Sequence, residues 1–260
     1  MELDEAYSNM ACIDGGEAYP AMWVEKAAAF RQAMSAKRQA QFDVAYGKGA
    51  RQKFDLFTPD TAPKGLMVFV HGGFWHMLSK DDWSHMAAGA VAKGWAVCVP
   101  SYTLCPEARI AEITDEITKA VCLASEMVAG PIALTGHSAG GHLVSRMLEV
   151  GRLPVSVAER LQHVVPISPV SDLRPMLKTS MNEDFKLDMA LAEAESPVLM
   201  RERVACPVTV WVGGDERPAF IEQARGLWEA WNVPHVIDAP RHHYDVVEPL
   251  EDADSDMLKV

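Results

Sequence analysis

Residues 136–140 read G-H-S-A-G, a serine with a glycine two positions away on either side. A serine hydroxyl becomes a nucleophile when an imidazole takes its proton and a carboxylate holds that imidazole in the right tautomer. The pattern directly follows an apolar run at 132–135 (I-A-L-T) and directly precedes a helical pattern from Gly141 to Val150. That strand, sharp turn and helix would leave Ser138 exposed at the head of the helix. Both glycines suit the turn, because a side chain at either place would collide with the adjoining strand or helix. A turn without chemistry would use the same glycines, but the placement between strand and helix favours a nucleophile.

A second signal lies at 71–75, H-G-G-F-W, immediately after the run at 66–70. Acyl transfer places negative charge on a carbonyl oxygen, and backbone N–H groups aimed there are worth about 3 to 4 kcal/mol each. Gly72 and Gly73 let the backbone come that close, and the N–H of Ala139, next to the serine, would be a third donor. His71 is read as a brace for this loop.

For an elbow of this kind the chain order is serine, then acid, then histidine. Asp215 in G-G-D-E stands just past the run at 208–212, where the acid is expected. Asp172 in S-P-V-S-D is the alternative, although Leu173 and Arg174 suggest a capped turn there. Downstream of Asp215, His242 and His243 lie just beyond a strand. Adjacent side chains point different ways, so one of the two is the base. His137 and His142 flank the serine without the spacing of four that would face both toward a metal, and no H-E-x-x-H occurs. No metal is expected.

These groups need rigid elements to hold them. Short apolar runs at 53–58, 66–70, 95–99, 132–135, 163–167 and 208–212 read as strands, and a weaker one at 233–237 contains Pro234. Between them Ile110, Ile113, Ile117, Val121, Ala124 and Val128 repeat at helical spacing, with Gly130 as a stop, and Phe220, Ala224, Leu227, Trp228 and Trp231 form a second stripe. Ser79 with Asp82 reads as a capping box opening another helix. Near-continuous apolar strands separated by helices predict an α/β class with a mostly parallel sheet covered on both faces, read as one domain over 1–260. Two regions break the alternation: a leader at 1–40, helical from about Val24, and a mixed polar segment at 172–204 that could form a small cap. Ligands of open α/β sheets bind beyond the carboxyl ends of the strands. Phe74, Trp75 and Tyr102 fall on that edge and are candidate contacts for an aryl ring, whereas Trp211 is expected to pack in the core.

The 260 residues are 49% hydrophobic and 23% charged, enough apolar material for a folded core. With 24 basic against 36 acidic residues the net charge is −12, which repels nucleic acid and anionic membranes. Cys12, Cys98, Cys105, Cys122 and Cys206 are odd in number and contain no C-x-x-C pair, which fits reduced thiols. No run reaches the roughly 18 apolar residues of a membrane span, and the acidic M-E-L-D-E start lacks the features of a secretory signal. A cytoplasmic protein is expected, with no nucleic acid or membrane as partner; a homodimer is compatible with all of this.

Taken together, H-G-G-F-W, G-H-S-A-G-G-H-L at 136–143, the acid in G-G-D-E and H-Y-D-V-V-E at 243–248 resemble the α/β-hydrolase superfamily. Within it they are most similar to the kynurenine formamidases (arylformamidases), which carry H-G-G-x-W and end in a histidine followed by an aromatic and an acidic residue. That tail selects His243 over His242. The similarity runs from about Tyr46 to the end, including V-P-S-Y at 99–102, and more loosely covers Tyr7, Asn9 and Trp23 of the leader. The resemblance implies hydrolysis of N-formyl-L-kynurenine to formate and L-kynurenine, without a cofactor, by Ser138, His243 and Asp215. A metal-dependent formamidase family has histidine-rich motifs that this chain lacks. Because the elbow and oxyanion motifs are shared with many esterases, cleavage of short acyl or aryl esters is the alternative, and a non-catalytic ligand-binding protein of the same fold a more distant one.

Overall fold

The structure, a computed structural model, describes residues 2–259. Its centre is a sheet of eight strands: β1 Ala40–Ala45, β2 Lys53–Phe57, β3 Leu66–Val70, β4 Ala96–Pro100, β5 Ile132–His137, β6 Leu161–Ile167, β7 Val210–Gly213 and β8 His235–Asp238. They are ordered β1-β2-β4-β3-β5-β6-β7-β8. β2 runs antiparallel to both neighbours, and the remaining pairs are parallel. The expected α/β class is therefore present, and each of the seven anticipated runs is a strand with ends moved by a few residues.

Burial on both faces explains why these strands are so continuously apolar. In β3, Leu66, Val68 and Val70 enter one hydrophobic cluster while Met67 and Phe69 enter the other. β4 divides the same way, with Ala96 and Cys98 on one side and Val97 and Val99 on the other. The strand that sequence reading overlooked, β1, is an edge strand of alternating half-buried and exposed residues. Its polar Gln41 and Asp43 hide the apolar signal, and Asp43 bends it with a φ of 56°.

The helices are α1 Tyr19–Ala36, α2 Lys80–Trp83, α3 Ala88–Ala92, α4 Ile110–Met127, α5 Ala139–Arg146, α6 Val155–Ala158, α7 Asn182–Phe185, α8 Met189–Glu195 and α9 Pro218–Trp231. α4 and α9 bury the stripes read from their spacing, on one face of the sheet; α1, α2 and α3 cover the other. α9 begins with Pro218 and ends at Asn232 in the left-handed region, as fixed proline φ and a tolerant asparagine favour. Ser79 and Asp82 do form the capping box of α2. α7 and α8 lie in the 172–204 segment.

α1 is fastened to the sheet by a buried carboxylate. Asp55 of β2 has no exposed surface; it meets Lys80 Nζ at 3.0 Å and is also bonded by Arg31 of α1. An unpaired charge there would be strongly destabilising, so two cations hold three elements together. No helix among the described residues is long and apolar enough to cross a membrane, and all five cysteines are free thiols.

Three histidines sit inside this scaffold as neutral rings. Burial pushes His71 and His142 down to about 3 and His85 down to about 4. In the unfolded chain they would take up protons near the ordinary value of about 6.5. The unfolded state thus binds more protons than the native one between those limits, and stability must fall as pH falls through that window, by about 1.4 kcal/mol per pH unit for each histidine. Urea denaturation midpoints measured from pH 7 to pH 4.5 are expected to drop steadily. A flat series would contradict neutral burial of these rings.

Candidate active site

The parallel strands deliver their carboxyl ends to one edge, and the candidate residues follow those ends. β5 stops at His137, and Ser138 turns the chain into α5 with φ 56° and ψ −115°, a conformation an L-residue adopts only when its surroundings impose it. The Ser138 N–H donates to the Ile167 carbonyl at 2.8 Å, and the Ser138 carbonyl accepts from the His142 N–H at 3.1 Å. The glycines are required by contact: a Cβ on Gly140 would lie 1.9 Å from the Val70 carbonyl oxygen, and one on Gly136 would lie 2.3 Å from that of Gly140. Ala139 is the first residue of α5, so its N–H belongs to the group that no intrahelical acceptor satisfies.

The loop after β3 lies against the serine. A Cβ on Gly72 would stand 3.1 Å from Ser138 Cβ, and Gly73, Phe74 and Trp75 follow with φ of 104°, 48° and 57°. His71 braces this loop as expected, its Nδ1–H donating to the Gly72 carbonyl at 2.7 Å. Tyr102 stacks on the His71 ring at 4.3 Å, and its hydroxyl donates to the His71 carbonyl at 3.1 Å. This corrects two expected substrate contacts. Tyr102 and Trp75 are fully buried, and Trp75 packs edge-on against His142 and Phe185. Both support the loop from behind because the left-handed turn rotates Trp75 inward. Phe74 does line the cavity beside Ser138.

The acid also differs from expectation. His243 Nδ1–H donates to Glu216 Oε2 at 2.6 Å, with both side chains buried. Asp215 is exposed, its backbone N–H spent on the Arg241 carbonyl, so it cannot serve His243. In G-G-D-E the chain turns outward at Asp215 and back inward at Glu216. The other Glu216 oxygen accepts from the Gly213 N–H at 2.8 Å and from the Ser168 hydroxyl. Asp172 instead caps its own turn, accepting from the Arg174 N–H at 3.0 Å. His242 faces away: its Nδ1 accepts the Tyr244 N–H, and its Nε2 meets the Tyr19 hydroxyl at 3.2 Å.

Two residues that sequence reasoning gave no part in the site steady His243. His137 Nε2–H donates to the His243 carbonyl at 2.9 Å, and burial, then the neighbouring His243, holds His137 neutral. Phe220 of α9 lies 4.1 Å from the His243 ring, centre to centre. Ser168, at φ 46° after β6, was equally unforeseen. Nothing in the sequence distinguished Glu216: it directly follows Asp215, and only the direction of the turn before α9 buries one and exposes the other.

Ser138 and His243 line a common cavity of about 310 Å³, together with Gly73 and Phe74. The leader contributes Asn9 and Trp23 to its wall, and the 172–204 segment contributes Met181. A larger groove of about 790 Å³ near Phe30, Lys37 and Asp60 contains neither Ser138 nor His243.

Against known proteins, residues 67–218, more than half the chain, match the family described as alpha/beta hydrolase fold. A kynurenine formamidase of Salmo salar is 27% identical over 231 residues, spanning 83% of this chain and 79% of that protein. One of Drosophila melanogaster is 28% identical over 241 residues, spanning 82% and 78%. Among solved structures, a "putative thioesterase" from silicibacter sp. tm1040 superposes with a TM-score of 0.97 at 55% identity, covering 99% of this chain and 98% of that one. Esterase B from Lactobacillus rhamnosis shares the fold, with a TM-score of 0.67 at 17% identity over 93% and 90%.

The two adjacent acids can be told apart by mutation. Glu216→Gln is expected to lower kcat by roughly 10⁴-fold, the scale seen when a triad carboxylate is replaced by its amide. Asp215→Asn, on the surface, should stay within about twofold of wild type. Ser168→Ala removes one donor from the carboxylate and should cost about tenfold in kcat with KM unchanged. The reverse ranking of the two acid variants would refute the assignment.

Proposed function

Because this chain belongs to the alpha/beta hydrolase fold family, we propose that it is a serine hydrolase that cleaves aryl formamides through an acyl-enzyme on Ser138. The observation that carries the reading is the buried bond from His243 Nδ1 to Glu216, in a residue that lines the same cavity as Ser138. With Nδ1 protonated and committed, Nε2 is the basic nitrogen of the neutral ring. Ser138 Oγ attacks the formyl carbon as its proton passes to His243 Nε2, and Glu216 stabilises the resulting imidazolium. Negative charge on the carbonyl oxygen is met by the backbone N–H groups of Gly72, Gly73 and Ala139. The C–N bond then breaks, His243 returning the proton to the departing aryl amine nitrogen. Water, giving its proton to His243 Nε2, attacks the formyl ester; formate leaves and Ser138 recovers its hydrogen.

The relatives named kynurenine formamidase support a formamide as substrate. The reaction those names carry is hydrolysis of N-formyl-L-kynurenine to L-kynurenine and formate; for the present chain the reading extends to the aryl formamide bond. A second reading, a carboxylesterase for short acyl or aryl esters, draws support from the size of the cavity, which has room for more than a formyl group beside an aryl ring. A thioester would pass through the same acyl-serine.

Ser138→Ala is expected to lower kcat by about 10⁴-fold or more while the protein stays folded and still binds substrate. A fluorophosphonate should label wild type at Ser138 and leave the variant unlabelled. Comparing kcat/KM for a formanilide with that for p-nitrophenyl acetate separates the two readings, and near wild-type turnover by Ser138→Ala would overturn both.

A further inference from the structure

Resting on that hydrolase reading, we infer that the site is built for an uncharged substrate: a neutral aryl formamide or ester, in preference to an amino acid, a carboxylate or a phosphate-bearing thioester. The lining comes from the leader, the loop after β3, α2, the elbow, the 172–204 segment and the loop that carries His243. Among the described residues it includes no Asp, Glu, Lys or Arg. Its walls are Trp23, Phe74, Leu78, Trp83, Met181 and Tyr244, and its other polar contributions, from Ser8 and Asn9, are uncharged.

The three lining histidines do not supply the missing charge. His243 is committed to Glu216. His137 is held neutral by burial and gives its Nε2–H to the His243 carbonyl. His76 Nδ1 already has Asp184 as its partner at 3.2 Å. The lining also includes apolar side chains that remain open to solvent: Met10 and Met77 are 49% and 47% exposed. A substrate group with a full charge would leave water without a partner, which apolar surroundings penalise heavily. At longer range the net charge of −12 opposes anions. An aryl ring, in contrast, finds aromatic and methionine surfaces suited to it.

The test keeps the scissile formanilide constant and adds a charged arm. N-formyl-2-aminoacetophenone and N-formyl-L-kynurenine share the formanilide and its ortho ketone, and the second adds an ammonium and a carboxylate. The full chain is expected to show at least about tenfold higher kcat/KM for the neutral compound, chiefly through KM. Met77→Arg should narrow that gap by giving the carboxylate a partner. Equal or better kcat/KM for N-formyl-L-kynurenine would overturn the inference and leave the hydrolase reading standing. If esters prove the better class, phenyl acetate against 4-acetoxybenzoate makes the same comparison: a preference for phenyl acetate supports the inference, and equal or better turnover of the carboxylate overturns it. Inertness toward all four, without labelling of Ser138, would remove the hydrolase reading and this inference with it.

Discussion

A carboxylate with no access to water must be surrounded by donors, and the arrangement at this edge of the sheet follows from meeting that demand at Glu216. Three donors converge on it: His243 Nδ1–H, the Gly213 N–H and the Ser168 hydroxyl. Gly213 ends β7, and Ser168 follows β6 with its own N–H bonded to the Trp211 carbonyl at 2.7 Å. Two neighbouring strands thus fix one oxygen of the carboxylate, and the other is left for the imidazole. Charge-assisted bonds of this kind are short and directional, so the histidine ring inherits its orientation from the sheet.

The same economy appears around the serine. Gly140 lets α5 rest directly on the end of β3, and that contact forces the turn in which Ser138 is held. His137, on the other side, ties the elbow to the histidine loop through the His243 carbonyl. Neutral histidines carry much of this framework: His71 braces the glycine loop, and His142 donates to the Glu195 carbonyl beneath the elbow, joining it to α8. The leader belongs to the site as well, because α1 presents Trp23 to the cavity and is held on the sheet by Arg31 and Asp55.

What could be read from the sequence was whatever depends on local pattern. The buried strands announced themselves by continuous apolar runs, α4 and α9 by their stripes, and the elbow by its glycines. Contacts between distant segments were not legible. Asp215 and Glu216 are adjacent carboxylates, and only the direction of the turn decides which one meets His243. Trp75 and Tyr102 stand in the right segments, but the left-handed loop aims Trp75 into the core and stacking on His71 holds Tyr102 there. β1 was missed because an edge strand needs only one apolar side. The leader's part in the cavity arises from packing across more than 200 positions, as in the contact of Tyr19 with His242, which no local pattern reports.

The partnership of His243 with Glu216 can be observed directly by proton magnetic resonance. An imidazole N–H held against a buried carboxylate resonates far downfield of ordinary amide protons. Such a signal is expected from wild type, bonded to nitrogen and assigned to His243 by its loss in His243→Gln. It should persist in Asp215→Asn and vanish or move sharply upfield in Glu216→Gln. A signal that survives in Glu216→Gln and disappears in Asp215→Asn would contradict the pairing on which the whole site rests.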